Sequence, residues 1–216
     1  IYTSDVFVKP SVKRKELGVE ATLCSPQAGP SVVQVQCTAE PVAGGASKAL
    51  AAHEVTVGAG EERVATFTEP WADPKLWWPD EPSLYDLVTR VLVEGNVVDE
   101  QRTRFGFREW DWTGTRFACN GVPLQLWADT TGLGGGTDPE ATLATWRKHG
   151  QNLWRFWGTH FGGLDKQQAL DLMDERGIVV RRSGIFDGQG ANYLHGLANN
   201  KELFDNWIVQ VQGWIK

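Results

Sequence analysis

The 216-residue chain has little sulfur and no long run of apolar residues. It contains three cysteines and one methionine, and Cys24, Cys37 and Cys119 show no metal-ligand spacing. No apolar run approaches the roughly 18–20 residues that a membrane-spanning helix needs. Residues 1–10 alternate polar and apolar side chains, which is a strand pattern and lacks the layout of a secretory signal. The sequence therefore predicts no metal, no membrane partner and no export signal, and it leaves the compartment open, with secretion and periplasmic export among the options.

The environment of the cysteines is predicted from their neighbours. Cys37 continues the alternation of Val33 and Val35, which predicts a buried free thiol. A disulfide between Cys24 and Cys119 is the alternative, and no feature of the sequence favours it.

Positive charge is also scarce. The net charge is −6, the isoelectric point is near 5.3, and basic residues occur together only in short runs such as residues 13–15 and Arg181-Arg182. A nucleic-acid-binding protein needs a basic face, so the sequence predicts no nucleic-acid partner. The glycine-rich stretch 132–136 lacks the lysine of a phosphate-binding loop, and no cofactor is expected.

Tryptophan, in contrast, is abundant. Eleven tryptophans occur in the chain. An indole ring stacks well on a flat apolar surface while its N–H still donates a hydrogen bond, and a sugar ring offers such a surface. The alternative, large aromatic side chains in a core, is favoured for most of the eleven. For Trp77-Trp78 this alternative predicts a structural role at the edge of a sandwich rather than an exposed surface on which a sugar stacks.

Residues 1–112 follow a two-residue period. Turn-forming residues separate the alternating runs, and Gly95-Asn96 is predicted to form the two-residue turn between the last two. This pattern predicts an all-β, immunoglobulin-like sandwich of seven strands. The runs cover residues 5–9, 17–23, 32–38, 50–57, 63–67, 84–93 and 97–107.

The period changes after Trp112. Short strands are predicted at 122–127, 152–157 and 178–185, with helices that begin at Asp138-Pro139, Asp165 and Asn200. Such βα repeats predict a parallel α/β sheet. Residues 113–216 are therefore expected to form the first three βα units of a (β/α)8 TIM barrel. A closed barrel needs about 250 residues, so the parent polypeptide is expected to continue past Lys216.

Several segments, in order and at matching spacing, resemble glycoside hydrolase family 2, which contains β-galactosidases, β-glucuronidases and β-mannosidases. The sandwich segments are similar to its central immunoglobulin-like domain, and the later ones to the start of its catalytic barrel. The segments are Asp-Val-Phe-Val-Lys-Pro at 5–10, Leu-Trp-Trp-Pro at 76–79, Leu-Tyr-Asp-Leu at 84–87, Arg-Phe-Gly-Phe-Arg-Glu at 104–109, Phe-Ala-Cys-Asn-Gly-Val-Pro-Leu at 117–124, Asn-Leu-Trp-Arg-Phe-Trp-Gly at 152–158 and Asp-Leu-Met-Asp-Glu-Arg-Gly-Ile-Val-Val at 171–180.

The resemblance implies retaining hydrolysis of an O-linked β-glycoside by two glutamates, one protonating the leaving oxygen and one attacking the anomeric carbon. In the family these glutamates follow the fourth and seventh barrel strands, which the predicted three units do not include. No catalytic acid or nucleophile is therefore assigned in this chain, and both glutamates are expected beyond Lys216. The segment alone is predicted to be inactive. The expected partners are a carbohydrate substrate and the remainder of the barrel.

Five side chains are candidates for the sugar site, because barrel enzymes place their sites at the carboxyl ends of the strands. Arg155 interrupts an apolar strand, and the matching arginine of the family supports the nucleophile; the alternative is a structural pair with a barrel carboxylate. Trp157 is expected to stack on sugar or to fill the barrel top. Asp129 and Asp187 are expected to accept hydrogen bonds from sugar hydroxyl groups. The alternative for them is capping of a loop or an ion pair with Arg182. His160 is likewise either a sugar-binding residue or a structural one.

Two other classes of function remain open. The first is a non-catalytic carbohydrate-binding or scaffold protein, and the second is an inactive relative of the barrel enzymes. The glycine-rich loop at 187–195 is long for a barrel connection and is interpreted as a substrate loop.

Overall fold

The computed structural model describes residues 1–128, 138–156, 160–182 and 199–215. The chain divides into two compact units, Ile1–Leu126 with Asp174–Gly177, and Trp127–Met173 with Ile178–Lys216. The domain boundary predicted after Trp112 remains a prediction. The strands of the first unit are β1 (Tyr2–Ser11), β2 (Glu16–Cys24), β3 (Ser31–Pro41), β4 (Lys48–Ala49), β5 (His53–Val57), β6 (Glu62–Pro70), β7 (Tyr85–Val93), β8 (Asn96–Phe105), β9 (Trp110–Thr113), β10 (Arg116–Cys119) and β11 (Val122–Pro123).

Strands β1–β8 form the predicted β-sandwich. One sheet has the order β1-β2-β6, and the other has the order β4-β3-β7-β8 with β5 also paired to β3. All of the pairings are antiparallel. The inward side chains of both sheets share one apolar core, because alternate residues of each strand face the same side. Its fully buried members include Leu17, Val19, Leu23, Val35, Ala39, Leu87 and Val91.

The run predicted at 50–57 is a strand only over His53–Val57 (β5), and a further short strand, β4, precedes it at Lys48–Ala49. β4 pairs with the end of β3 and β5 pairs with its start, so the chain leaves the ladder between Leu50 and Ala52. The Ala51 N–H donates to the Glu69 carboxylate at 3.1 Å instead of to a neighbouring strand. The prediction of seven strands was therefore wrong by one.

The turn predicted at Gly95-Asn96 was also wrong by one residue. Val93 pairs with Asn96, so the turn consists of Glu94 and Gly95, with φ values of 48° and 79°. Two consecutive positive φ values are typical of the type I′ turn, whose twist matches that of a hairpin. Asn120 and Gly121 join β10 to β11 in the same way, with φ values of 51° and 80°.

The predicted free thiol is confirmed. Cys37 is buried, and its Sγ lies 3.6 Å from the Thr89 hydroxyl. Burial raises the pKa of the Cys37 thiol, and the hydrogen bond with Thr89 lowers it to a smaller extent. Cys24 and Cys119 are free as well, so the alternative disulfide is not formed.

Trp77 anchors a polar cluster within the first unit, as its predicted structural role requires. Its side chain is fully buried, and its indole N–H donates to the Asp174 carbonyl at 2.8 Å. The Arg108 guanidinium lies 4.6 Å from the Trp77 ring centroid and donates two hydrogen bonds to the Asp174 carboxylate, at 2.7 and 3.1 Å. Arg108 thus combines a cation–π contact with a bidentate ion pair.

The second unit contains three helices and four short strands in its described part. Two of the strands, β12 and β15, are parallel neighbours, and β13 and β14 form a small antiparallel pair. Among the residues that the structure describes, no helix is long and apolar enough to cross a membrane. The elements are α1 (Pro139–Lys148), β12 (Leu153–Phe156), β13 (His160–Phe161), β14 (Leu164–Asp165), α2 (Lys166–Glu175), β15 (Val179–Arg182) and α3 (Lys201–Ile215).

Each helix begins where the sequence predicts. The carboxylate of Asp138 accepts hydrogen bonds from the Glu140 and Ala141 N–H groups, and the amide oxygen of Asn200 accepts two in the same way before α3. Before α2 the arrangement is reciprocal: Asp165 accepts from the Gln168 N–H at 2.9 Å, and the Gln168 side chain accepts from the Asp165 N–H at 3.0 Å. This is a capping box.

We expect Gly177→Ala to destabilise the first unit by about 2–4 kcal/mol. Gly177 has φ +69°, and a Cβ there would lie 1.9 Å from the Pro79 carbonyl oxygen, so both strain and overlap oppose a side chain. Gly29→Ala is the matched control, since a Cβ there meets no atom within 4 Å. Urea denaturation of both variants measures the difference. A Gly177→Ala variant as stable as Gly29→Ala would contradict the close approach.

Candidate functional site

The candidate site begins with strand β12, whose two faces have opposite character. Trp154 and Phe156 are 7% and 1% exposed and belong to the core of the second unit. Leu153 and Arg155 alternate with them and are half-buried. Because successive side chains of a strand face opposite sides, Arg155 lies on the face of β12 opposite that core.

Aromatic packing holds β12 in this orientation. The Trp154 ring stacks on Phe156, with centroids 4.3 Å apart, and it also contacts Trp146 of α1 and Phe161 of β13 at 6.0 and 4.8 Å. Ala169 and Met173 of α2 complete this core with Leu143 and Ile178. Turning β12 over would place two large rings in solvent and a guanidinium in the core, and both changes are unfavourable.

Strand β15 places a second arginine beside Arg155. The parallel register pairs Arg155 with Arg181 and Trp154 with Val180. Val180 packs against the core, so Arg181 lies on the same face as Arg155, opposite the core, and its side chain is exposed. Each arginine is the third residue of a four-residue strand. Both therefore lie near the carboxyl end of a parallel strand, where α/β folds place their ligands.

The chain segment at Trp127 lies along the other side of β12. The Trp127 carbonyl accepts hydrogen bonds from the N–H groups of Asn152 and Leu153, at 3.1 and 3.0 Å. The Asn152 side-chain oxygen accepts the Trp127 N–H at 2.8 Å, and the Asn152 carbonyl accepts the Val179 N–H. Asn152 thus joins three parts of the second unit. The parallel strand predicted at 122–127 was wrong, because β11 covers only Val122–Pro123 and pairs antiparallel with β10, and residues 124–128 are not in a strand.

The structure describes two of the five predicted site residues. Arg155 lies on the face of β12 opposite the apolar core, and the backbone of His160 pairs with Asp165 in the β13–β14 hairpin. Trp157, Asp129 and Asp187 lie outside the described residues, as do the glycine-rich stretches at 132–136 and 187–195. The roles of all five residues stay predictions.

Arg181 was missed as a site candidate. It was interpreted as part of a short basic run with Arg182, and its side-chain direction follows only from the register of β15 on β12. The alternation of Val180 and Arg181 was nevertheless visible in the sequence, and the apolar residue marks the core face.

The chemistry available on this face is binding rather than proton transfer. Neither β12 nor β15 contains a carboxylate, a histidine or a nucleophile. A guanidinium keeps its proton at all ordinary pH values, so Arg155 and Arg181 supply charge and hydrogen-bond donors only. In the parts of the chain that the structure describes, no group of three or more acidic, histidine or cysteine side chains could hold a metal ion.

Comparison with known proteins gives consistent results. The sequence model of the family "Glycosyl hydrolases family 2" matches residues 1–108. A Formosa agariphila protein named "Putative beta-glucuronidase" is 31% identical over 178 residues, which is 78% of this chain. The chain spans only 16% of that relative's length.

Solved structures share the fold at lower identity. A glycosyl hydrolase family 2 member from Bacteroides cellulosilyticus superposes with a TM-score of 0.67 at 19% identity, over 91% of this chain and 28% of its own. The β-glucuronidase 2 of Bacteroides uniformis, covalently bound to cyclophellitol-6-carboxylate aziridine, gives a TM-score of 0.64 at 17% identity, over 87% of this chain and 24% of its own.

We predict that Asn152→Ala removes one of the three hydrogen bonds between the Trp127 segment and residues 152–153 and leaves the other two in place. Without the side-chain oxygen, the Trp127 N–H loses its acceptor, and its hydrogen exchange should become at least about ten-fold faster. The N–H groups of residues 152 and 153 are internal controls, because they donate to the Trp127 carbonyl and keep that acceptor. Exchange measured by NMR gives the result, and an unchanged Trp127 rate would show that Asn152 does not hold the segment.

Proposed function

The chain belongs to glycosyl hydrolase family 2, and we propose that it is a segment of a retaining β-glycosidase. In this proposal residues 1–112 supply an immunoglobulin-like sandwich, and residues 113–216 supply the first three βα units of the catalytic barrel and one wall of its sugar site. The relatives are glycosidases, and this chain covers between 16% and 28% of the three described above. A catalytic barrel completed by further residues is consistent with those proportions.

The position of Arg155 is the single observation that carries the proposal. It lies on the face of β12 opposite the helix-packed core, near the carboxyl end of a parallel strand, between the Trp127 segment and β15. In a β/α barrel the helices lie outside, so the face opposite them lines the interior. Arg155 is therefore directed toward the interior of the proposed barrel.

Arg155 acts on the nucleophile as a positioning residue. A retaining glycosidase needs one carboxylate that attacks the anomeric carbon and one carboxyl group that protonates the leaving oxygen. A neighbouring guanidinium lowers the pKa of a carboxyl group and holds it by two parallel hydrogen bonds. Arg155 thus keeps the attacking glutamate ionised and oriented, while the acid, away from this charge, retains its proton.

The covalent step has support in a relative. The Bacteroides uniformis β-glucuronidase 2 is covalently bound to its aziridine ligand, as a nucleophilic mechanism requires. On this basis the first step forms a bond between a glutamate oxygen and the anomeric carbon as the bond to the leaving oxygen breaks. Water then cleaves the glycosyl-enzyme with retention of configuration.

The remaining site candidates bind the sugar. Trp157 follows β12 directly and is proposed to stack on the sugar ring, and Asp129, Asp187 and His160 are proposed to hydrogen-bond its hydroxyl groups. The carbohydrate and the remainder of the barrel are the proposed partners.

We predict that the 216-residue chain alone does not hydrolyse chromogenic β-glycosides, because both glutamates are supplied by other residues. The full-length polypeptide that carries this sequence should hydrolyse at least one of them. Turnover by the isolated chain that Arg155→Ala abolishes would overturn the proposed division of the site. A full-length polypeptide that binds sugar without turnover would favour a non-catalytic carbohydrate-binding protein or an inactive relative.

Arg155→Gln in the full-length polypeptide should lower kcat about 100-fold, with a smaller change in KM. Loss of the guanidinium raises the pKa of the nucleophile, and only its ionised form attacks, so the acid limb of the kcat/KM profile should move to higher pH. Arg63→Gln removes the same charge from an exposed position of the first unit and is the control. An unchanged acid limb in Arg155→Gln would contradict the contact with the nucleophile.

A further inference from the structure

We infer that Trp77 and Arg108 form a binding surface for the carboxyl end of helix α2, and that Arg108 thereby positions strand β15. Arg108 is a positioning residue in this inference, because it acts through the end of α2 and not on the substrate. The consequence for the sugar site rests on the proposed function, whereas the contact with α2 does not.

The surface is occupied by a corner of the chain, Asp174–Gly177, in which α2 ends and which leads into β15. This corner belongs to the first compact unit, whereas Met173 before it and Ile178 after it belong to the second. Its last residue, Gly177, lies so close to Pro79 that a Cβ would be 1.9 Å from the Pro79 carbonyl oxygen. The corner is therefore fitted closely to the first unit.

The backbone at the end of α2 receives a donor from a buried side chain. The Ile178 N–H donates to the Met173 carbonyl at 2.9 Å, and Gly177 between them has a φ of +69°. These are the features of a Schellman motif, in which a left-handed glycine ends the helix. The Asp174 carbonyl lies in the last turn of the helix and accepts the Trp77 indole N–H at 2.8 Å. Trp77 thus completes the cap.

The charges at this helix end are compensated by arginines that precede α2 in the chain. The carboxyl end of a helix carries partial negative charge, and α2 places Asp174 and Glu175 there with no basic residue in its last turn. Arg108 donates two hydrogen bonds to the Asp174 carboxylate, at 2.7 and 3.1 Å. Arg104 pairs with Glu175, and Arg176 lies 3.7 Å from the same carboxylate. Arg108 is therefore the cation that offsets the charge of Asp174.

The corner determines where β15 begins. Val179 is the first residue of β15 and the second after Gly177, and its N–H donates to the Asn152 carbonyl at 2.8 Å. The parallel ladder that follows pairs Arg155 with Arg181. A slip of one residue would turn every side chain of β15 to the opposite face. A fixed corner thus fixes which residue of β15 lies beside Arg155.

Hydrogen exchange of the 216-residue chain, measured by NMR, tests the contact. Arg108→Gln removes the charged hydrogen bonds to Asp174, and exchange of the Ile178 and Val179 N–H groups should become at least about ten-fold faster. Arg108→Lys keeps the charge without the planar fork and should give intermediate rates. Arg90→Gln is the matched control, because it removes an ion pair of similar exposure between β7 and β8 and should leave both rates unchanged.

Turnover by the full-length polypeptide tests the consequence for the sugar site. Arg108→Gln should lower kcat about ten-fold with little change in KM, because a small displacement of β15 alters the alignment of the reacting groups more than the binding of the sugar. Arg108→Lys should restore part of the lost kcat, and Arg90→Gln should leave kcat unchanged. Thermal unfolding of each variant shows that it is folded at the assay temperature.

The outcomes separate this inference from the proposed function. Unchanged exchange in Arg108→Gln, or an equal acceleration in Arg90→Gln, would overturn the inference and leave the glycosidase intact. Faster exchange with an unchanged kcat would overturn the positioning role of Arg108. Absence of turnover by the unaltered full-length polypeptide would contradict the proposed function, and the exchange rates would still decide the contact with α2. If Arg108→Gln does not fold, Arg108→Lys decides by the same two measurements.

Discussion

The alternation of side chains along β12 is the constraint on which the candidate site depends. Trp154 and Phe156 stack on each other and fill the core between α1 and α2. Arg155, which lies between them in sequence, must therefore extend to the opposite face of the strand. Arg155 is consequently placed by the packing of its neighbours. The same core sets the face of β15 through Val180, and the parallel register then brings Arg181 beside Arg155. Apolar packing thus determines where the charge of the site is located.

Arginine has two distinct uses in this chain. Arg108 lies over the Trp77 ring and holds Asp174, so its charge is satisfied within the first unit and its role is structural. Arg155 and Arg181 lie together on a face opposite an apolar core. Because a guanidinium cannot lose its proton, such a pair gives a constant positive charge rather than a pH-dependent switch. It suits the binding of an anionic group such as an ionised carboxylate.

The sequence predicted those elements that have local signals. Asp138, Asp165 and Asn200 each accept N–H groups at the start of a helix, and the Asn-Gly pair at 120–121 forms its turn. The turn after β7 was placed wrongly because Glu94 adopts a positive φ, which a residue other than glycine rarely does, and the register of β7 with β8 decides it. The candidate face of Arg155 follows from alternation alone. The neighbour Arg181 could not be identified in the same way, because parallel register depends on packing between elements distant in sequence.

The central claim is our proposal that the face of β12 carrying Arg155 lines the sugar site of a retaining glycosidase. A crystal structure of the full-length polypeptide, reacted with a cyclophellitol aziridine, tests it most directly. The proposal predicts a covalent bond from a glutamate to the ligand and hydrogen bonds from Arg155 to that glutamate. A ligand bound away from β12, or a nucleophile held by residues other than Arg155, would contradict the proposal.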